Sequence, residues 1–186
     1  MKKTIRTMVW VPVLVLMVGM ACQFSGGPTP PRVVPVSTEQ AQNLSKTVQS
    51  VKPDPTSGNI NITVTEAQIT SYVVQNLREN YEPILSNPVI VFQPNQVELY
   101  GTIQGDAVAA NGRVVMSVIV DEQGQPLVTI REANFGPIPV PSGLLSNLSA
   151  AIDRSISDAM KNYRADYKLQ SIRFDTGIAT IVATKK

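Results

Sequence analysis

The chain has 186 residues, 43% hydrophobic and 16% charged, a length that suits one domain with a core of its own. Of its 16 basic residues, Lys2, Lys3 and Arg6 lie in the first six positions, so a chain beginning at Cys22 carries 13 basic against 14 acidic side chains; this near-neutral balance excludes the Lys and Arg clusters of a nucleic-acid binder or a polybasic membrane patch. The absence of histidine removes the commonest general base, the usual zinc nitrogen ligand and every Ser-His or Cys-His nucleophile, and the single cysteine allows no intramolecular disulfide, so neither an enzyme nor a metal or other cofactor is expected.

The N-terminus reads as a secretory signal. A basic "MKKTIR" precedes an apolar run of 13 residues from Met8 to Met20, interrupted by Pro12 and Gly19. That run is shorter than the roughly 20 residues that span a bilayer comfortably. "VGMAC" resembles the bacterial lipobox, in which a small residue precedes a cysteine that takes a diacylglyceryl thioether and becomes residue one after cleavage. Ala21 fits that pattern, whereas Gly19 stands where leucine is usual. Residues 1–21 are therefore expected to be a lipoprotein signal peptide, with Cys22 the lipidation site. The alternative is an uncleaved N-terminal membrane anchor. Either way the domain is expected outside the cytoplasmic membrane and tied to a lipid surface; Gln23 would fit outer-membrane sorting in a cell that has such a membrane. Residues 22–36, with four prolines in "QFSGGPTPPRVVPVS", are expected to be a solvated tether with on the order of 40 Å of reach.

A single domain is expected over 37–186. Ser37 and Gln40 have capping-box spacing ahead of a short amphipathic helix through Val51. Ile60, Ile62 and Val64 alternate as a strand; Thr65 with Gln68 forms a second capping box and Val64 with Ile69 a hydrophobic staple, starting a helix at Thr65. From Pro88 to Asn134 the period is two, and "PNQ", "DAVAANG" and "DEQGQ" separate several antiparallel strands. Gly101 suggests a bend or bulge. "VVMSVIV" (Val114 to Val120) is apolar on both faces except for Ser117, so this strand is either covered twice or borders a groove. "FGPIPVPSG" is a stiff connector; "LLSNLSAAIDRSISDAMKNY" then carries Leu145, Leu148, Ile152 and Ile156 on one helical stripe, and "YKLQSIRFDTGIATIVAT" closes as a hairpin about "DTG".

The acidic residues Asp121, Glu122, Asp153, Asp158, Asp166 and Asp175 fall in turns, at a helix end or on its polar side, where acid/base work is not expected. Ser142, Ser146 and Ser149 have no histidine to activate them. The helical stripe is either the core side of a helix under a sheet or, with Val114, Met116, Val118 and Val120, the lining of a lipid groove. Aliphatic abundance with few aromatics favours acyl chains in such a groove.

The order of "ITVTEAQITSYVVQNL", "VIVFQPNQVELYGTI", "FGPIPVPSGLLSNLSAAID" and "LQSIRFDTGIATIVA" resembles the YpmS-type membrane-anchored bacterial family of unknown function, and more distantly the LmeA-type envelope lipoproteins. The likeness covers roughly Val36 to Thr184. It implies an α+β fold of the tubular lipid-binding (TULIP) kind, a long curved antiparallel sheet packed on two or three helices as a half barrel. The function it implies is non-catalytic: binding or presenting a hydrophobic ligand, a lipid, in an aliphatic groove. The alternative is a structural or protein-interaction module of the cell envelope. The expected partners are the membrane, through the lipid anchor, and a bound lipid, with no nucleic acid.

Overall fold

The computed structural model describes residues 26–80, 85–104, 109–136, 143, 145, 146, 149, 150, 152 and 167–186. The expected signal segment, Cys22 and the expected connector at 137–141 lie outside them. Helix α1 (Thr38–Ser50) starts where its cap predicts: Ser37 Oγ accepts the Gln40 N–H at 3.2 Å, and Ala41 and Leu44 are buried. Strand β1 (Asn59–Thr65) runs into helix α2 (Glu66–Asn80) through a reciprocal cap. Thr65 N–H donates to Gln68 Oε1 at 2.9 Å, and Gln68 N–H donates to Thr65 Oγ1 at 3.2 Å.

Four strands follow as an antiparallel meander: β2 (Leu85–Gln93), β3 (Gln96–Gln104), β4 (Ala109–Val120) and β5 (Pro126–Asn134). Strands β6 (Tyr167–Asp175) and β7 (Ile178–Lys185) form the closing hairpin, and β7 also pairs with β1 in a three-stranded sheet of order β1-β7-β6. The protein is thus α+β and sheet-rich, all of its described ladders antiparallel. The described strands form two sheets and not one long one. The reason lies at the β2 edge, where α2 takes the place of a next strand. Thr70 Oγ1 accepts the Ile90 N–H at 3.0 Å and donates to the Ile90 carbonyl, while Glu66 Oε1 accepts the Phe92 N–H at 2.6 Å. Residues four apart on one helix face thereby satisfy alternate groups of an edge strand, which closes it to further pairing.

The inner face of the four-stranded sheet is the core. Cross-strand rows Phe92, Val97, Met116, Ile130 and Ile90, Leu99, Val114, Ala133 follow from the register, and Leu44, Val64, Phe174 and Ala179 pack on them. The Phe92 and Phe174 rings, 5.3 Å apart and tilted by 49°, join the two sheets. Gly101 sits opposite a bulge in β2 near Asn87, and its missing side chain leaves room for Leu85. Of the predicted long helix, Gly143, Leu145, Ser146, Ser149, Ala150 and Ile152 are helical, and Ile152 packs against the core; Leu148 and Ile156 lie outside the described residues.

The N-terminal segment departs from the solvated tether expected of it. Arg32 forms a two-point ion pair with Glu66 and donates to the Phe92 carbonyl at 2.9 Å, and Val34 is buried on Val91 and Tyr100. Val91 and Tyr100 lie on the outer face of the sheet, and a packed valine removes more apolar surface from water than a free tether could.

Candidate functional site

Strand β6 runs from the β4–β5 turn to the β2–β3 turn. At one end Lys168 Nζ donates to the Glu122 carbonyl at 2.8 Å; at the other, Asn95 N–H donates to the Phe174 carbonyl at 3.1 Å. Between β6 and the last residues of β4 a cleft of about 330 Å³ stays open, at the lower end of the range usual for small-ligand sites. Its apolar wall is Val118, Ile119, Val120, Ile172 and Phe174; its polar residues are Asn95, Ser117, Arg131, Gln170 and Ser171.

Two of the polar residues owe their position to interruptions in the ladders. Met116 pairs with Ile130 and Val115 with Glu132, so Arg131 is the extra residue of a bulge in β5. Leu169 pairs with Ala183 and Ser171 with Val182, so Gln170 is the extra residue of a bulge in β6. A bulge turns one side chain out of the strict alternation, and both extra residues line the cleft. Arg131 forms no ion pair among the described residues. Its guanidinium offers a planar fork of donors, which suits carboxylate or phosphate oxygens. No carboxylate, thiol or lysine is among the described lining residues, so the arrangement offers recognition of an anion beside an aliphatic wall.

Of the residues expected to line a groove, Val118 and Val120 border this cleft. Val114 and Met116 are buried in the core, in rows covered by the neighbouring strands. Leu145 is half-buried. The sequence does carry a trace of both bulges. The apolar spacing shifts from two to three between Ile130 and Ala133 and again between Leu169 and Ile172, as an inserted residue requires.

A second polar constellation lies on the outer face. Glu98, buried on that face, accepts from Tyr100 Oη at 2.7 Å, Arg113 Nη2 at 2.8 Å and Gln96 Nε2 at 3.1 Å. Burial alone would raise its pKa, but the hydrogen bonds from Tyr100 and Arg113 outweigh it and hold the carboxyl below its ordinary value. Burial and the bond to Glu98 push the Tyr100 phenol up to about 12. Apart from Arg113 Nε, which is buried without a hydrogen-bond partner among the described residues, these groups satisfy one another, which marks the cluster as structural.

Among the described residues no helix is long and apolar enough to cross a membrane, and no group of three or more His, Cys, Asp or Glu is placed to hold a metal. Comparison with protein-family models, with curated proteins and with solved structures finds no match.

Proposed function

We propose that this is a non-catalytic bacterial envelope lipoprotein, anchored through Cys22, whose extracytoplasmic domain binds an anionic amphiphile of the lipid class in the cleft between β4 and β6. The observation that carries the reading is the pair of bulges that bring Arg131 and Gln170 to the mouth of an aliphatic slot. Arg131 takes the acidic head, Asn95 and Gln170 its remaining polar atoms, and Val118, Val120 and Ile172 the adjoining hydrocarbon. The lipobox-like "VGMAC" and the resemblance to YpmS-type and LmeA-type chains support the envelope setting. A TULIP-like half barrel belongs to the same proposal, with both sheets curved about the helix that contains Ile152; the packing of Ile152 on core residues supports it.

The test is native mass spectrometry of the domain from Gly26 onward after mild purification, followed by titration of the delipidated protein with a fluorescent fatty acid. Copurified lipid, or uptake of the probe, is expected. Arg131→Ala should weaken uptake of the anionic probe about tenfold, the worth of roughly one charge-assisted hydrogen bond, while an exposed side chain of this kind moves stability by less than about 0.5 kcal/mol. An empty protein that takes up no amphiphile would sink the proposal.

The alternative, a protein-interaction module without a bound ligand, is favoured by one feature. Ile119 and Leu127 form a cross-strand pair on the β4–β5 hairpin and remain 56% and 52% exposed. A stoichiometric protein partner recovered from membranes, lost in Leu127→Asp and accompanied by no lipid, would decide for that reading.

A further inference from the structure

The N-terminal segment enters the domain at one end of the four-stranded sheet. Gly27 lies so close to Asn111 that any Cβ there would run into the Asn111 carbonyl oxygen, and Gly26 lies against Gly136, just past the end of β5. From that end the chain crosses the outer face to Arg32 and Val34, where the Glu66 ion pair and the Val91 and Tyr100 contacts hold it. Cys22 is only four residues before Gly26, and at about 3.3–3.6 Å per residue those four span at most roughly 14 Å. An uncleaved anchor ending near Cys22 leaves the same short distance.

Strand β4 begins at this end with Ala109 and finishes with Val120 beside the cleft. Its 12 residues, at about 3.3 Å each, put roughly 36 Å between the two ends. Thr102, Ala109, Asn111 and Asn134, at the end where the chain enters, are uncharged.

We propose that the docked N-terminal segment holds the domain upright on the bilayer, with the Gly26, Asn111 and Gly136 end against the lipid headgroups and the cleft turned away. The proposal rests on the N-terminal membrane anchor read from the sequence. Its consequence is that the cleft is loaded from the side away from the supporting leaflet: with roughly 36 Å of strand between them, a lipid of that leaflet cannot slide from the membrane into the slot.

The experiment uses the full-length protein, processed in bacterial cells and reconstituted into phosphatidylcholine and phosphatidylglycerol vesicles that carry a headgroup-linked energy acceptor. Ala109→Cys and Glu122→Cys, both at exposed positions, are labelled separately with a donor maleimide. Transfer is expected to be several-fold stronger from position 109 than from position 122. The unaltered protein reports on the anchor: a thioether-linked Cys22 takes no maleimide, and labelling there refutes lipidation. In that event the pair is repeated in a Cys22→Ser background, because an uncleaved anchor predicts the same orientation. Arg32→Ala combined with Val34→Ser releases the segment and should bring the two positions within a factor of two. Equal transfer from both positions with the segment intact, or stronger transfer from position 122, overturns the proposal. A difference that survives release of the segment refutes the segment as its cause.

Discussion

Glu98 and Tyr100 show how two residues on one strand, two apart and hence on one face, become a stability device. The Glu98 carboxyl lies below its ordinary value of 4.5 in the folded protein, so the stability it contributes is present above that value and is lost as the pH falls through the lower folded one. Tyr100 has the opposite sign. Its folded value of about 12 exceeds the ordinary 10.0, so its contribution is complete below pH 10 and is lost as the pH rises toward 12. Glu98→Gln should cost about 1–3 kcal/mol at neutral pH, because it leaves Arg113 facing a weaker acceptor, and should flatten the acid limb of the stability curve; urea unfolding across pH checks both. Ultraviolet absorbance of tyrosinate should show a phenol step that is complete only beyond pH 12, and Tyr100→Phe should remove that late step. Nothing in "QVELYGTI" distinguishes these two from ordinary solvent-facing residues. Tyr100 is buried against Val34 of the N-terminal segment, far away in the sequence.

Among the elements, α2 has the most consequential role. Its capping box was legible, and the helix forms where it indicates. Its service to the β2 edge was not legible, since Thr70 reads as an ordinary helical threonine. Thr70→Val keeps the shape and removes the hydroxyl, leaving the Ile90 N–H and carbonyl buried without a partner. The expected cost is about 1–3 kcal/mol, seen in denaturant unfolding, with faster amide exchange at Ile90 and Phe92. Thr70→Ser should retain most of the stability.

Across the whole molecule, the two sheets share one core and are joined at their turns. The β2–β3 and β6–β7 turns bond to each other, Gly177 N–H donating to the Phe92 carbonyl and Asn95 N–H to that of Phe174, with the two phenylalanine rings beneath. Phe174→Ala should therefore cost about 3–5 kcal/mol and loosen β6 from the four-stranded sheet. Since Phe174 also lines the cleft, amphiphile uptake should fall with it, whereas Arg131→Ala separates binding from stability. Heat unfolding followed by both near- and far-ultraviolet dichroism would show whether the sheets still unfold together.

The sequence by itself determined the elements. Helix starts at Thr38 and Glu66, the β1 strand, the four-strand run and the closing hairpin are written in caps, turn residues and apolar period, which act between neighbours a few residues apart; the exception is the turn expected over "DAVAANG", where residues 109–112 already belong to β4. Only the tertiary structure decided that the strands divide into two sheets, that Val118 and Val120 border a cleft while Val114 and Met116 fill the core, and that the proline-rich segment docks. Those outcomes depend on pairs such as Arg32 with Glu66, Thr70 with Ile90 and Phe92 with Phe174, each joined across tens of residues. A local pattern fixes which face of a strand is apolar; what comes to cover that face is set by which distant segment reaches it.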